Sequence, residues 1–435
     1  MGEVIMTGTV FVATCDLAGL TRGRSVPGAE HDAVLRRGVG WVPADLALTC
    51  FGGIAEDNVF GSTGDLRLMP DRATGVVIPE SDGHPAVRLY LADQTLPDGT
   101  PWHCDPRTVA RSALAELRER VGLEVVASFE HEFTVAGLEP TAPFSFARHR
   151  AVEPFGTELV ELLGEVGLAP ETWLPEYGEN QFEITLEPCD GLVAADRAVL
   201  LKELVRDLAR RRGHRVSFAP LLDPEGSGNG VHLHLSLRDV STGRPVLLDE
   251  TRPGRLSEVG ARFAAGILAH ARALTAITAP SPTSFLRLTP HRWSVGGVFL
   301  AERNREALLR ICPTSTVGGG RADQQLNLEY RAADATANPW LVLGSLVRAG
   351  LDGILGETDE PMVWPEDTTE AQLAEVLPLP ATLAEALGEL ERDETVLGWF
   401  HPDLVRTHLD VTRAQLAVVE GLTAEQICRR VADVY

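Results

Sequence analysis

The 435-residue sequence holds a single lysine, Lys202; apart from histidine, every other basic side chain is an arginine. A P-loop needs Gly-Lys-Ser/Thr, so that phosphate cradle is excluded. Gly318-Gly319-Gly320 is then a flexible loop and nothing more. Anionic ligands must be met by arginine, histidine, backbone N–H or metal. A basic excess is also missing. The net charge is −23, which argues against a nucleic-acid partner, because binding that backbone needs a basic footprint. The acidic excess either keeps the chain soluble or is partly neutralised by bound divalent cations. Cys15, Cys50, Cys104, Cys189, Cys312 and Cys428 form no C-x-x-C pair. Their scatter argues against a zinc site and a disulfide framework and fits a reducing cytoplasm. No apolar run approaches the roughly 20 residues of a membrane helix, and no basic segment followed by an apolar one marks a signal peptide. The expectation is a cytoplasmic protein with no membrane partner.

Hydrophobic residues at 44% and charged residues at 23% are ordinary for a globular protein, and the length allows more than one domain. Residues 1–104 alternate short apolar runs with Gly, Asp and Pro, as at Gly8–Thr14, Leu66–Met69, Gly75–Pro79 and Val87–Ala92. This predicts a small, mainly β domain. Asp105-Pro106-Arg107 opens a helix, with Val109, Ala113, Leu117 and Val121 at helical spacing. Residues 105–435 then alternate strands and helices. Helices are predicted over Thr157–Val166, Ala194–Arg212, Ser257–Ile277 and Pro339–Ile354, and strands over Gln181–Leu186, Val231–Leu237 and Leu326–Arg331.

Several predicted strands carry polar, metal-capable residues two apart, which a strand projects to one face. Glu130 and Glu132 stand in Ser128-Phe129-Glu130-His131-Glu132-Phe133. Gln181 and Glu183 follow Glu176; His232 and His234 follow Gly226-Ser227-Gly228-Asn229-Gly230; Glu329 precedes Arg331. A lone Glu-x-Glu is most simply a solvated edge strand. Several such strands in one chain point to one cleft, since charged pairs are costly to bury unless paired or metal-bound. Carboxylates with an occasional imidazole suit Mg²⁺ or Mn²⁺ better than Zn²⁺. Arg287, Arg303, Arg305 and Arg310 add guanidinium groups, and metals with arginines are the equipment of phosphoryl transfer. Taken alone, Arg303, Arg305 and Arg310 with Glu302 and Glu306 read equally as a solvated basic helix.

With these motifs in this order, the chain resembles the glutamine synthetase family and its γ-glutamyl-amine ligase relatives over nearly its whole length. The carrying segments are Asp16–Arg24 with Val26-Pro27, Glu130–Phe133, Glu176 to Glu183, Gly228–Leu237, the arginines Arg287, Arg305 and Arg310, and Glu329-Tyr330-Arg331 with Asp334 and Asn338-Pro339. The resemblance implies an α+β fold. A small N-terminal β-grasp domain (1–104) precedes a large catalytic domain (105–435) with a curved antiparallel sheet flanked by helices. It implies an ATP-dependent carboxylate–amine ligase with ATP as co-substrate and two or three Mg²⁺ or Mn²⁺ ions per site. Glu132, Glu176 and Glu183 would hold one ion; Glu130, His232 and Glu329 a second. His234 and Ser236 would lie along ATP. Arg287 and Arg331, with Gln181 and Gly228, would bind the acid substrate. Arg305 and Arg310 would stabilise the transferring phosphoryl group, Arg310 also touching ATP. The partners implied are glutamate or a related acid, an amine, and further copies of the chain, in a dodecamer of two hexameric rings.

The departures from the family pattern lie on the amine side. Ammonia-using members carry an acid in the turn that here reads Cys50-Phe51-Gly52-Gly53-Ile54, with Glu56 and Asp57 out of register. They carry a flap glutamate where this chain has Trp293, and an Asn where it has Ser227. An ammonium pocket needs negative charge, so an amine other than ammonia is expected. The alternatives are a glutamine synthetase with a rearranged ammonium site, a non-catalytic structural or regulatory homologue, and a guanidino kinase. The complete set of candidate metal ligands argues against the last two.

Overall fold

The computed structural model describes residues 8–81, 83–289, 294–356 and 358–435. Trp293 lies outside the described residues.

The N-terminal part forms a six-stranded sheet in the order β2-β1-β6-β4-β3, with β5 also paired to β6. Its strands are β1 (Thr9–Cys15), β2 (Thr21–Pro27), β3 (Val39–Trp41), β4 (Leu66–Pro70), β5 (Val76–Ile78) and β6 (Val87–Thr95). The Asp16–Leu20 turn is built by its own side chain: Asp16 accepts the Ala18 and Leu20 amides, both at 2.9 Å, and the Arg22 Nε at 2.7 Å. The chain then enters a helix at Pro106–Val121, capped by Asp105, whose carboxylate accepts the Thr108 amide.

The second sheet has ten strands and supplies the face on which the candidate site is built. Its main path runs β16-β13-β14-β15-β12-β7-β9-β8, with β10 and β11 also paired to β7. The ranges are β7 (Leu123–Ala136), β8 (Pro170–Pro175), β9 (Gln181–Leu186), β10 (Cys189–Asp190), β11 (Arg215–Ser217), β12 (Val231–Asp239), β13 (Gly297–Glu302), β14 (Ala307–Ile311), β15 (Leu328–Tyr330) and β16 (Val363–Trp364). From β14 to β8 the pairing is antiparallel, as expected; β13 pairs parallel with both β14 and β16.

Strand β7 explains the division of faces. Phe129, His131, Phe133 and Val135 are buried, while Glu130, Glu132 and Thr134 alternate with them. The helix Gly191–Arg211 packs behind β7, and Pro339–Leu355 packs against both Glu258–Ala269 and Pro106–Val121. The Glu258–Ala269 crossing is close enough to require glycine: a Cβ on Gly266 would stand 1.9 Å from the Ala349 carbonyl oxygen.

Two expectations need correction. The predicted helix Ser257–Ile277 is two helices, Glu258–Ala269 and Ala271–Thr278, parted at His270. His270 is held from distant segments, its Nδ1 2.7 Å from Asp393 and its Nε2 3.4 Å from Asp352. The segment 303–310 is no basic helix; it is a loop followed by β14. Lys202 is buried and donates to the Gly19 and Ala335 carbonyls at 2.6 and 2.7 Å, so the only lysine brackets the two parts of the chain. All six cysteines are free. No described helix is long and apolar enough to cross a membrane.

Candidate active site

Strand register lines the site residues up across the open face of the second sheet. Glu132 pairs with Glu183 and Thr134 with Gln181 across β7 and β9. Glu130 pairs with His232 across β7 and β12, His234 with Glu329 across β12 and β15, and Glu329 with Arg310 across β15 and β14. Paired residues share a face, so this register alone gathers residues from five strands.

A cleft of about 760 Å³ opens over one end of the row. Its wall includes Glu130, Glu132, Glu176, Glu183, Gln181, Gly228, His232, Arg287, Arg305 and Arg331. Those expected residues therefore meet in one place. Glu329, His234, Ser236 and Arg310 lie outside the cleft wall, on strands β12, β15 and β14 beyond it.

The electrostatics divide the carboxylates into two groups. Glu130 Oε1 lies 2.8 Å from His232 Nδ1, and its Oε2 lies 3.3 Å from His234 Nε2. Burial works against its charge, but the two imidazoles outweigh that and hold it well below the ordinary range. Glu329 is fully buried; Arg331, His232, His234 and Arg310 overcome its desolvation and hold it at about 2. It accepts the Arg310 guanidinium at 2.8 Å and also pairs with Arg331. Glu130, His234 and Glu329 can converge on a single ion, with donor atoms within 4.8 Å of one another. His234 thus stands near the second-ion set together with His232, whose Nδ1 is 3.7 Å from Glu329.

In the other group burial prevails. Glu183 is pushed up to about 11 by burial and by Glu130 and Glu132. Glu132 is raised by burial, although the Gly230 amide donates to it at 2.6 Å. A cluster that can ionise only by gaining a counter-charge is a fit for a divalent cation, and oxygen donors suit a hard one.

Loops hold the remaining groups. Buried Arg148 donates to the Gly178 carbonyl at 2.5 Å and to the Glu176 carbonyl, which fixes the turn carrying Glu176. Gln181 Nε2 donates to the Gly228 carbonyl and Asn229 Oδ1 at 2.8 and 3.0 Å, and its Oε1 accepts the Gly178 amide at 2.8 Å. Its amide thus ties the loops on either side of the cleft together. Arg287 is buried; it donates to the Ala332 and Ala333 carbonyls at 2.8 and 2.9 Å, while its Nε has no hydrogen-bond partner among the described residues. It passes over Gly228, where a Cβ would stand 2.4 Å from Arg287 Cγ.

Motif reading passed over Asn229, Arg148 and the cleft walls Phe144, Leu174, Tyr177 and Leu221. Asn229 lies inside the Gly226–Gly230 block, so a signal was present. Phe144, Tyr177 and Leu221 sit in loops, Leu174 in β8 and Arg148 in the short helix Phe146–Ala151, none with a recurrent spacing.

The chain matches a model of the glutamine synthetase N-terminal domain over residues 5–102 and one of the glutamine synthetase catalytic domain over 103–430. With this fold, those matches define an ATP-dependent ligase that forms carbon–nitrogen bonds. The chain belongs to the glutamine synthetase family. It is 34% identical to a gamma-glutamylpolyamine synthetase of Streptomyces coelicolor over 97% of this chain and 92% of that one. It is 29% identical to a glutamate–isopropylamine ligase of a Pseudomonas species, over 89% and 86% of the two chains. Archaeal glutamine synthetases match at 29% to 31% identity. A crystal structure described as a novel glutamine synthase homolog superposes with a TM-score of 0.91 at 42% identity, covering 100% of both chains.

Proposed function

We propose that the chain phosphorylates the γ-carboxylate of glutamate or an analogue with ATP and condenses the acyl phosphate with an amine other than ammonia. The products are a γ-glutamyl amide, ADP and phosphate. The observation that carries this reading is the cleft wall, where Phe144, Leu174, Tyr177 and Leu221 line the same cleft as the carboxylates. Such a wall suits an amine with carbon substituents. An ammonium ion instead needs acids around it before it can bind and lose a proton. Two relatives named for organic amines support the same reading.

The residues take these roles. Glu132, Glu176 and Glu183 would hold one Mg²⁺ or Mn²⁺ ion, and Glu130, His232 and Glu329 a second, with His234 close enough to share it. Divalent ions there supply the positive charge that phosphate oxygens need as bonds break. Arg287 and Arg331 bind the carboxylates of the acid, and the unpartnered Arg287 Nε is a donor for one of them. Gln181 and Gly228 shape that subsite. Arg305, exposed at the cleft, and Arg310 neutralise charge on the transferring phosphoryl group. His234 and Ser236 lie along ATP, and Arg310 also meets the nucleotide. Trp293, in place of the family's flap glutamate, would favour an apolar or larger amine. The attacking amine must be neutral, and the carboxylates facing the cleft can take its proton. In the ring of identical chains that we propose, two stacked hexamers, the segment Gly52–Asp57 serves a neighbour's site.

The test is a competition. Ammonium and organic amines at equal concentration are offered together with ATP, Mg²⁺ and glutamate, and the amides are resolved by mass spectrometry. The expected product is a substituted amide. Glutamine as the main product would favour the ammonia reading.

A further inference from the structure

We propose a second metal site, of the zinc class, at the junction between the two parts of the chain. It is built by His103, Cys104 and His401, with Asp403 beside them. One donor atom of each of the first three lies within 4.8 Å of the others. The His103 and His401 ring centroids are 3.7 Å apart, and Asp403 Oδ2 is 3.8 Å from His103 and 3.6 Å from His401. Both imidazoles are partly open to solvent, while Cys104 is fully buried beneath them. An ion therefore has an entry path and a soft donor at its inner side.

The donor chemistry separates this site from the glutamate cluster. Two imidazoles, a thiolate and a carboxylate form a set that Zn²⁺ prefers, whereas Mg²⁺ and Mn²⁺ favour oxygen. Burial pushes the Cys104 thiol up to about 12. The Cys104 proton would leave when the metal binds.

The placement gives the site a structural purpose. His103 and Cys104 sit between Trp102, which is buried against Phe60, and the Asp105 cap of helix Pro106–Val121. His401 is the cap residue of helix Pro402–Val419, its Nδ1 accepting the Asp403 amide at 3.2 Å. A metal there would fasten the domain junction to a helix nearly three hundred residues later in the chain. That separation is why no C-x-x-C pattern announces it.

Titrating the metal-stripped full-length enzyme with Co²⁺ tests this. The expected result is a thiolate-to-cobalt charge-transfer band, with the visible bands of four-coordinate cobalt, that Zn²⁺ abolishes by displacement. Cobalt on glutamates gives no thiolate band. Cys312 lies 3.7 Å from His234, so a Cys312→Ser variant must keep the band. Cys104→Ser and His401→Gln must lose it, and Zn²⁺ must raise the melting temperature of the wild type but not of His401→Gln. Since His401 is partly exposed, circular dichroism of His401→Gln establishes that the loss is not unfolding. No band in the wild type, or a band that survives in folded His401→Gln, overturns the proposal.

Discussion

Glu132 and Glu183 face each other across β7 and β9. The folded chain raises Glu183 from an ordinary 4.5 to about 11. The protonated carboxyl therefore favours the fold at low pH. That contribution is complete below about 4.5 and is lost as pH rises toward 11. Binding a divalent ion expels the proton. At neutral pH, Mn²⁺ binding should release protons, measurable by calorimetry in two buffers of different ionisation enthalpy, and Glu183→Gln should reduce the release. Ion binding without proton release would contradict the assignment. Gly228 offers a second test. In Gly228→Ala the new methyl group meets Arg287 Cγ at 2.4 Å, so Arg287 must shift. KM for the acid substrate should rise about tenfold or more with KM for ATP little changed. The alternation that put Glu130 with Glu132 and His232 with His234 was legible in the sequence. The anchoring by Arg148 was not, because its partners include the backbone carbonyls of Glu176 and Gly178, a turn distant in sequence.

At the scale of elements, the helices are tied to the N-terminal sheet by buried charge. Arg107, at the start of helix Pro106–Val121, donates to Asp196 at 2.8 and 2.7 Å, to Asp93 at 2.7 Å and to Asp71 at 2.8 Å. Asp196 also accepts the Trp340 indole N–H at 2.8 Å. Removing the guanidinium leaves Asp196 buried without its cation. Arg107→Ala should cost about 3 to 5 kcal/mol, seen as a lower midpoint in urea unfolding. A shift below about 1 kcal/mol would mean that the network is worth little. Asn338 caps Pro339–Leu355 through the Trp340 and Leu341 amides and also donates to the Cys15 and Asp16 carbonyls. Asn338→Ala should cost about 2 kcal/mol by the same measurement. Local pattern located most of these helices, since periodicity and proline positions are local signals. It failed at His270, where the break depends on Asp352 and Asp393 from other segments. It also left segment 303–310 open, because charged residues at short spacing do not separate a helix from a loop leading into a strand.

At the scale of the molecule, the second sheet places carboxylates, imidazoles and arginines on one face, and apolar side chains line the same cleft. Family membership was readable from the order of motifs, of which Glu130–Phe133, Glu176 to Glu183, Gly228–Leu237 and Glu329–Arg331 each mark one strand of the second sheet. The acceptor was less readable, since it depends on loop walls such as Phe144 and Tyr177, which carry no periodic signal. The most direct test measures kcat/KM for ammonia and for a panel of alkyl amines, diamines and polyamines, following phosphate release with ATP, Mg²⁺ and glutamate. The account predicts that an organic amine exceeds ammonia by roughly tenfold or more. Ammonia as the best acceptor by a clear margin would contradict it.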